Sequence, residues 1–355
     1  MTKTESAPKV NAFVQFAKRA REKDTEAQPA EDPEALRESA RRLKDTRPFT
    51  EVAVGVLIRR DGAVLLGSRP EGKPYAGYWE FPGGKIEPGE SAAEALAREM
   101  KEELDLELSE SYPWFVREIS YPHARVRLHF RRCWRWRGTP RAMEGQEYGF
   151  FSWSSLKKDR VLPMVQEILA LTRLPERAAL VMGPAMEGVQ ESLIDQALAG
   201  GAKLLNFGTW GPDDAYEVPA IPGVWTGSSY SRRSFRNTDP AEPSFRGALY
   251  RLPFEGEGHG PHDFVMHDGV HGEYLLDEPA RLRALVAYLE RAEIPVYLEE
   301  GWFKRLEDAV RAGTLPPPEG LASLEASDTE RIRAWGLQGI WTDAWRKCKS
   351  LGWSA

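Results

Sequence analysis

The sequence predicts an α+β domain, a mixed sheet sandwiched by helices, followed by an α/β domain of the parallel-sheet or barrel kind. Three observations lead there. The chain has 355 residues, room for two ordinary domains. Residues 48–174 set short strand-like runs around one carboxylate-rich helix and close on a second helix. Residues 178–355 alternate strands with longer helices, the pattern of a parallel sheet or barrel. Hydrophobic content of 41% suits ordinary cores. A net charge of −6 excludes a general footprint for duplex nucleic acid, while free nucleotides need only local positive charge. Cys133 and Cys348 form no disulfide framework or zinc pattern. With no apolar run near ~18 residues and no signal-peptide core, a cytoplasmic protein is expected, without membrane partners.

In chain order, residues 1–47 are a polar, charged extension, expected to be poorly ordered or a docking arm, with a short amphipathic helix at Val10, Phe13, Val14 and Ala17. EVAVGVLIRR alternates as a strand, Asp61-Gly62 makes a hairpin turn, and AVLLGSRP pairs back. WEFP is a strand, and Gly83-Gly84 a turn after it. A helix follows, with Ala93, Leu96, Ala97, Met100 and Leu104 as its apolar stripe and Ser91 and Glu94 at capping-box spacing. WFVREISYPH, RVRLHFRRCWRWRG and FFSW read as strands. SSLKKDRVLPMVQEILALTRL reads as the closing helix, with Leu162, Val165, Ile168, Leu169 and Leu171 inward. LPERAA is a short linker. Beyond it, AALVMG, AKLLNFGTW, HDFVMHDGV, IPVYLEEGW and LQGIWTDAWR read as strands. VQESLIDQALAGG, EPARLRALVAYLERA and WFKRLEDAVRAG read as helices, and residues 208–262 resist assignment.

The chemistry concentrates in the first helix. Glu99, Glu102 and Glu103 fall at i, i+3 and i+4 and share a face. Alone, such a triplet is a solvated acidic surface. Here Arg98 lies one turn before Glu102, and Gly83, Gly84 and Gly89 form a tight approach to the helix. Such carboxylates suit a hard cation that keeps some waters and bridges to substrate phosphate, which describes Mg²⁺.

The segment GGKIEPGESAAEALAREMKEELDL resembles the Nudix box, G-x5-E-x7-R-E-U-x-E-E-x-G-U with U a bulky aliphatic residue. Gly84, Glu90, Arg98, Glu99, Met100, Glu102, Glu103 and Leu106 fill it; Asp105 stands where the pattern has Gly. SRPEGKPYAGYWEFPGGKIEPGE and EGQEYGFFSW are similar to MutT-type nucleotide pyrophosphatases of the 8-oxo-dGTP diphosphatase kind. The resemblance implies a Nudix fold and a Mg²⁺ ion, with Mn²⁺ as the alternative, held by Glu99, Glu102, Glu103 and the Gly83 carbonyl. It makes Glu144 a further ligand or the base that activates water, although a solvated loop acid is the plain reading. It places Arg98 in the catalytic set, and Arg69, Phe81 and Lys85 toward the substrate, a nucleoside triphosphate cleaved to monophosphate and pyrophosphate. Arg69 also reads as a surface cation, and Phe81 and Trp79 as core residues. The implied role is clearing oxidised nucleotides, a DNA-repair task. Enzymes of this kind that prefer 8-oxo-dGTP read the base with an Asn after Leu-Pro; Val165 stands at the end of Leu162-Pro163-Met164-Val165 here.

QALAGGAKLLNF, DFVMHDGV, IPVYLEEGW and GLQGIWTDAW resemble, in order and hydrophobic pattern, a thiamine-phosphate-synthase (TenI-like) barrel. That family's phosphate loop would fall at Leu298 to Trp302, read LEEGW. The expected outcome is a degenerate barrel serving as a binding or regulatory module. The alternatives are synthase activity in this half, or a nucleotide-sensing first domain without turnover. His259, His262, His267 and His271, with Asp263 and Asp268, form a cluster that is either a metal site or ordinary loop histidines. Arg232, Arg233 and Arg236 hold a phosphate or belong to a solvated loop.

Overall fold

The computed structural model describes residues 46–343 apart from 73–74, 122–123, 157–159, 183–188, 209–219, 229–233, 237, 240, 243–244, 247–249, 253–277, 294 and 322. In the first half the elements run β1 (Phe49–Leu57), β2 (Val64–Ser68), β3 (Trp79–Glu80), β4 (Gly83–Lys85), α1 (Ala92–Leu104), β5 (Glu107–Leu108), β6 (Tyr112–Ser120), β7 (Arg125–Cys133), β8 (Trp136–Arg137), β9 (Tyr148–Phe151) and α2 (Pro163–Leu171). β1 is the spine. Val54, Val56 and the following Ile58 enter one buried cluster, and Ala53 and Leu57 another. That period of two marks a strand covered on both faces. α1 covers the Ala53 face through Ala95, Leu96, Met100 and Leu104. α2 covers the other through Val165, Ile168 and Leu169. The sheet order is β4-β1-β7-β6, with β7 parallel to β1 and both outer pairs antiparallel. β3-β2-β9 form a second, antiparallel sheet, and β5 pairs with β8. The predicted sandwich of a mixed sheet between helices is what forms.

Four local expectations change. The Asp61-Gly62 turn is present, with Gly62 at φ +80° and Arg59 N–H donating to Ala63 O at 2.8 Å. Yet β1 and β2 pair only at Ile58–Val64, because β4 and β7 already occupy both edges of β1. Gly83-Gly84 opens strand β4 against β1 and is no turn. A Cβ on Gly83 would lie 2.1 Å from Ala53 O, so glycine permits this close approach. Ala97 is exposed and Ala95 takes its place in the stripe. The closing helix begins only at Pro163, a residue suited to the first helical position. Before it, the Ser152 and Ser155 hydroxyls take each other's backbone N–H groups at 2.8 and 3.1 Å, a side-chain turn that competes with helix.

The second half runs β10 (Arg177–Met182), α3 (Val189–Ala199), β11 (Leu204–Gly208), β12 (Trp225–Ser228), β13 (Ser234–Arg236), β14 (Phe245–Arg246), β15 (Tyr250–Leu252), α4 (Glu278–Leu289), β16 (Val296–Glu299), α5 (Glu300–Arg311), α6 (Asp328–Ala334) and β17 (Gly339–Asp343). The order β14-β13-β12-β11-β10-β17-β16-β15 is parallel from β12 to β15, with helices between some of the strands. Among the described residues no pairing joins the outer strands β14 and β15, and the sheet is not seen closed into a barrel. The expected phosphate loop is not formed as such. Glu299 caps α5 by accepting from Gly301 N at 2.9 Å and Trp302 N at 3.1 Å, the N–H groups a phosphate would need. Arg236 is exposed on β13. The four histidines with Asp263 and Asp268, Arg232, Arg233, the HDFVMHDGV strand and the N-terminal helix lie outside the described residues.

The stretch read as a linker is packed. Leu174 is buried, Pro175 O accepts from Tyr297 Oη at 2.5 Å, and Glu176 pairs with Arg333 at 2.7 Å. Gln338 donates to Leu174 O at 2.7 Å and accepts from Trp114 Nε1 at 3.0 Å, so the two halves share buried contacts.

Candidate active site

The acidic helix is fixed at both ends by its own sequence. Ser91 Oγ accepts from Glu94 N at 3.2 Å while Glu94 Oε2 accepts from Ser91 N at 2.8 Å, a complete capping box. Asp105 closes the helix in the left-handed region, φ 55°, so it serves where a glycine is usual. Residues 95, 96, 100 and 104 are buried. Positions 99 and 103 therefore flank the buried stripe, and 102 lies farther out: Glu99 is 16% exposed and Glu102 58%.

Arg98 ties this helix to the loop before it. Its guanidinium forks onto Glu90 at 2.8 and 2.9 Å, reaches Glu99 at 2.8 Å and Glu102 at 3.3 Å, and donates to Lys85 O at 3.0 Å. The Arg98 hydrogen bonds, with the Glu87 N–H, hold the Glu90 carboxyl down at about 2. Arg98 is itself pushed up by Glu90 and Glu99. Five donors in a rigid fork make this possible, and a lysine cannot copy it. A Cβ on Gly84 would lie 2.1 Å from Glu99 Cδ. Gly84→Ala must then displace the Glu99 carboxylate; nucleotide hydrolysis by the variant, measured with folding checked by circular dichroism, is expected to fall about tenfold or more.

Glu103 is half-buried on the same side of the helix. Burial, then the charges of Glu99 and Glu144, raise its carboxyl to about 7, against a hydrogen bond from Gly83 N–H. Its Oε2 is buried with no hydrogen-bond partner. Glu144 sits on an exposed loop, set beside Glu103 by two backbone bonds: Met143 N–H to Glu103 O at 3.1 Å and Arg141 N–H to Leu104 O at 3.0 Å. These use carbonyls that the last turn of α1 leaves free. With Glu99 turned to Arg98 and Glu102 outward, no three acidic, His or Cys side chains among the described residues converge to hold an ion as they stand. The donor chemistry nonetheless fits a hard divalent cation: carboxylate oxygens, one of them buried and unpartnered amid like charges.

The other predicted residues are placed as follows. Arg69 pairs with Glu80. Lys85 has an exposed side chain, and its carbonyl serves Arg98. Phe81 packs edge-on to Phe130 at 6.5 Å against the core. Val165 is 3% exposed in the α2 cluster, where it presents no polar atom to a ligand. Two residues escaped sequence reasoning. Glu80, beside Trp79 on β3, adds its charge to the field that raises Glu103. Tyr148 lies over Gly67, and its phenol is pushed up by burial and then by Glu103.

A family model for the NUDIX domain matches residues 49–170. A CTP pyrophosphohydrolase of Escherichia coli is 54% identical over 54 residues, 15% of this chain and 40% of that protein. An 8-oxo-dGTP diphosphatase of Haemophilus influenzae is 37% identical over 107 residues, 30% of this chain and 76% of that protein. An 8-oxo-dGTP diphosphatase of Escherichia coli is 30% identical over 120 residues, 34% of this chain and 93% of that protein. With the box helix capped at both ends and two of these relatives matched over most of their length, the chain belongs to the Nudix family and is a hydrolase of phosphorus-containing anhydrides.

Proposed function

We propose that residues 48–174 are a Mg²⁺-dependent pyrophosphohydrolase domain. Its substrate is a nucleoside triphosphate, first of all 8-oxo-dGTP or another oxidised or non-standard dNTP, cleaved to monophosphate and pyrophosphate. The observation that carries this is Glu103: a half-buried carboxylate with one buried, unpartnered oxygen, crowded by Glu99 and Glu144 at the end of a doubly capped helix. Glu99, Glu102, Glu103, Glu144 and the Gly83 carbonyl would hold the ion, Mg²⁺ or Mn²⁺. When bound, it would neutralise polyphosphate charge and make water a better nucleophile. Arg98 keeps Glu90 and Glu99 in place by its hydrogen bonds. Glu144, open to solvent, is the group to take a proton from attacking water. Arg69 would exchange Glu80 for a substrate phosphate.

Residues 178–355 are proposed as a binding or regulatory module in preference to a thiamine phosphate synthase, because Glu299 occupies the helix N–H groups that a phosphate would use. Among the described residues no helix is long and apolar enough to cross a membrane, and clearing of unwanted nucleotides in the cytoplasm is the proposed setting. The test is pyrophosphate release from 8-oxo-dGTP, the four dNTPs and CTP, with Mg²⁺, for the wild type and Glu102→Gln. The expected result is preferred turnover of 8-oxo-dGTP and a loss on the order of a hundredfold in Glu102→Gln. Preference for CTP would move the substrate to that of the first relative. Binding without turnover would make the domain a sensor.

A further inference from the structure

Among the described residues two large apolar side chains are exposed, Tyr75 at 60% and Met143 at 58%. Single exposed apolar residues are ordinary. These two are set apart by where they sit. They occupy the two loops that leave the same end of the β2–β9 pair, where Ser68 N–H donates to Glu147 O at 2.7 Å and Glu147 N–H donates to Ser68 Oγ at 2.9 Å. One loop carries Arg69 and the other Glu144. Met143 is anchored at the acidic helix through its backbone bond to Glu103 O. The Tyr75 loop is closed by bonds from Gly77 N–H to Arg69 O, Arg69 N–H to Tyr78 O and Tyr78 N–H to Tyr75 O, at 2.8–3.0 Å.

Tyr75 is also held at φ +61°, in the left-handed region where a bulky side chain is unusual and glycine would sit without strain. Its ring meets Tyr78 at 5.7 Å with the planes 68° apart, and with 60% of the residue exposed the ring keeps surface for stacking. Neither side chain contributes to a core. The loops that carry them also carry Arg69 and Glu144, the residues assigned above to the substrate phosphate and to the attacking water. Stacking needs no hydrogen-bonding reader, which agrees with Val165 lying inside the core.

We propose that Tyr75 and Met143 grip the nucleobase of the substrate, the tyrosine by a ring face and the methionine by its polarizable thioether, and so set base preference by stacking. This rests on the nucleotide reading of the site.

The experiment is steady-state kinetics on the best triphosphate of the panel, with melting temperatures, for wild type, Tyr75→Ala, Tyr75→Gly, Tyr75→Phe and Met143→Ala. KM is expected to rise about tenfold in Tyr75→Ala and several-fold in Met143→Ala, with kcat changed far less. Tyr75→Phe should stay close to wild type. Tyr75→Gly should melt as high as wild type or higher, since it removes the strain, and still show the raised KM; a purely structural role would not give that pair of results. An unchanged KM in Tyr75→Ala, with an active wild type, overturns the inference and leaves the nucleotide reading standing. The same unchanged KM with a new oligomeric state in gel filtration would assign the patch to contact between copies. A wild type that turns over no triphosphate overturns both.

Discussion

Replacing Glu103 by Gln is expected to abolish hydrolysis and to raise the melting temperature of the metal-free protein. The two effects have one cause. Burial, Glu99 and Glu144 lift the Glu103 carboxyl from its ordinary 4.5 to about 7, and one of its oxygens has no partner. The folded state therefore holds its proton more tightly than the unfolded chain does. By linkage, the wild type loses stability as pH rises from ~4.5 through ~7, and bears the full cost above that. Glutamine keeps the shape and an acceptor for Gly83 N–H, removes the charge, and presents an amide N–H₂ to the neighbouring carboxylates. With EDTA present, the variant should melt ~1–2 °C above wild type at pH 7.5, about 1 kcal/mol for a chain of this size, and the gap should close toward pH 5. Hydrolysis with Mg²⁺ should fall on the order of a hundredfold or more. A variant that melts lower than wild type at pH 7.5, or that keeps its activity, would show that Glu103 is an ordinary structural acid. A carboxylate that costs stability and is kept for chemistry is the expected mark of an active site.

The acidic helix was legible in the sequence because its determinants are local. Ser91 and Glu94 begin it, Asp105 ends it, and the spacing of Glu99, Glu102 and Glu103 needs no tertiary information. The β1 alternation was legible for the same reason. What failed was pairing between distant segments. The Asp61-Gly62 turn forms as expected, but whether β2 stays with β1 is decided by β4 and β7, which are remote in sequence. Gly83-Gly84 reads as a turn because a glycine strand carries no side-chain pattern. The ion pair of Arg69 with Glu80 depends on β2 and β3 lying side by side, which the chain order alone does not state. In the second half, β12 to β15 are two to four residues long, too short for any periodicity to show. Helix α6 has a full capping box from Ser327 and Glu330, yet at seven residues it falls below the length at which a stripe can be read.

Gln338→Ala is expected to be the most destabilising single change outside the hydrophobic clusters. Gln338 is 2% exposed and satisfies three groups with one side chain. Its amide donates to Leu174 O at 2.7 Å, and its carbonyl accepts from Trp114 Nε1 at 3.0 Å and Arg132 Nη1 at 3.3 Å. Arg132 is equally buried and is pushed down to about 9 by desolvation; its other bond runs to Leu337 O at 2.6 Å, and its Nε has no partner. Truncation would orphan a carbonyl, an indole N–H and part of a buried cation at once. Each costs about 1–3 kcal/mol and the costs do not simply add, so ~3–5 kcal/mol is expected, roughly 4–7 °C in melting temperature. Gln338→Glu keeps the oxygen that accepts from Trp114 and Arg132 and loses only the bond to Leu174 O, so it should recover much of the loss. Because the three partners lie on β6, on β7 and just after α2, the wild type should unfold in one transition that includes both halves, and Gln338→Ala should separate it into two. Thermal unfolding of the three proteins, followed by calorimetry, decides the matter. A Gln338→Ala protein within 1 kcal/mol of wild type, with its single transition intact, would mean that the contact joins the halves without holding them.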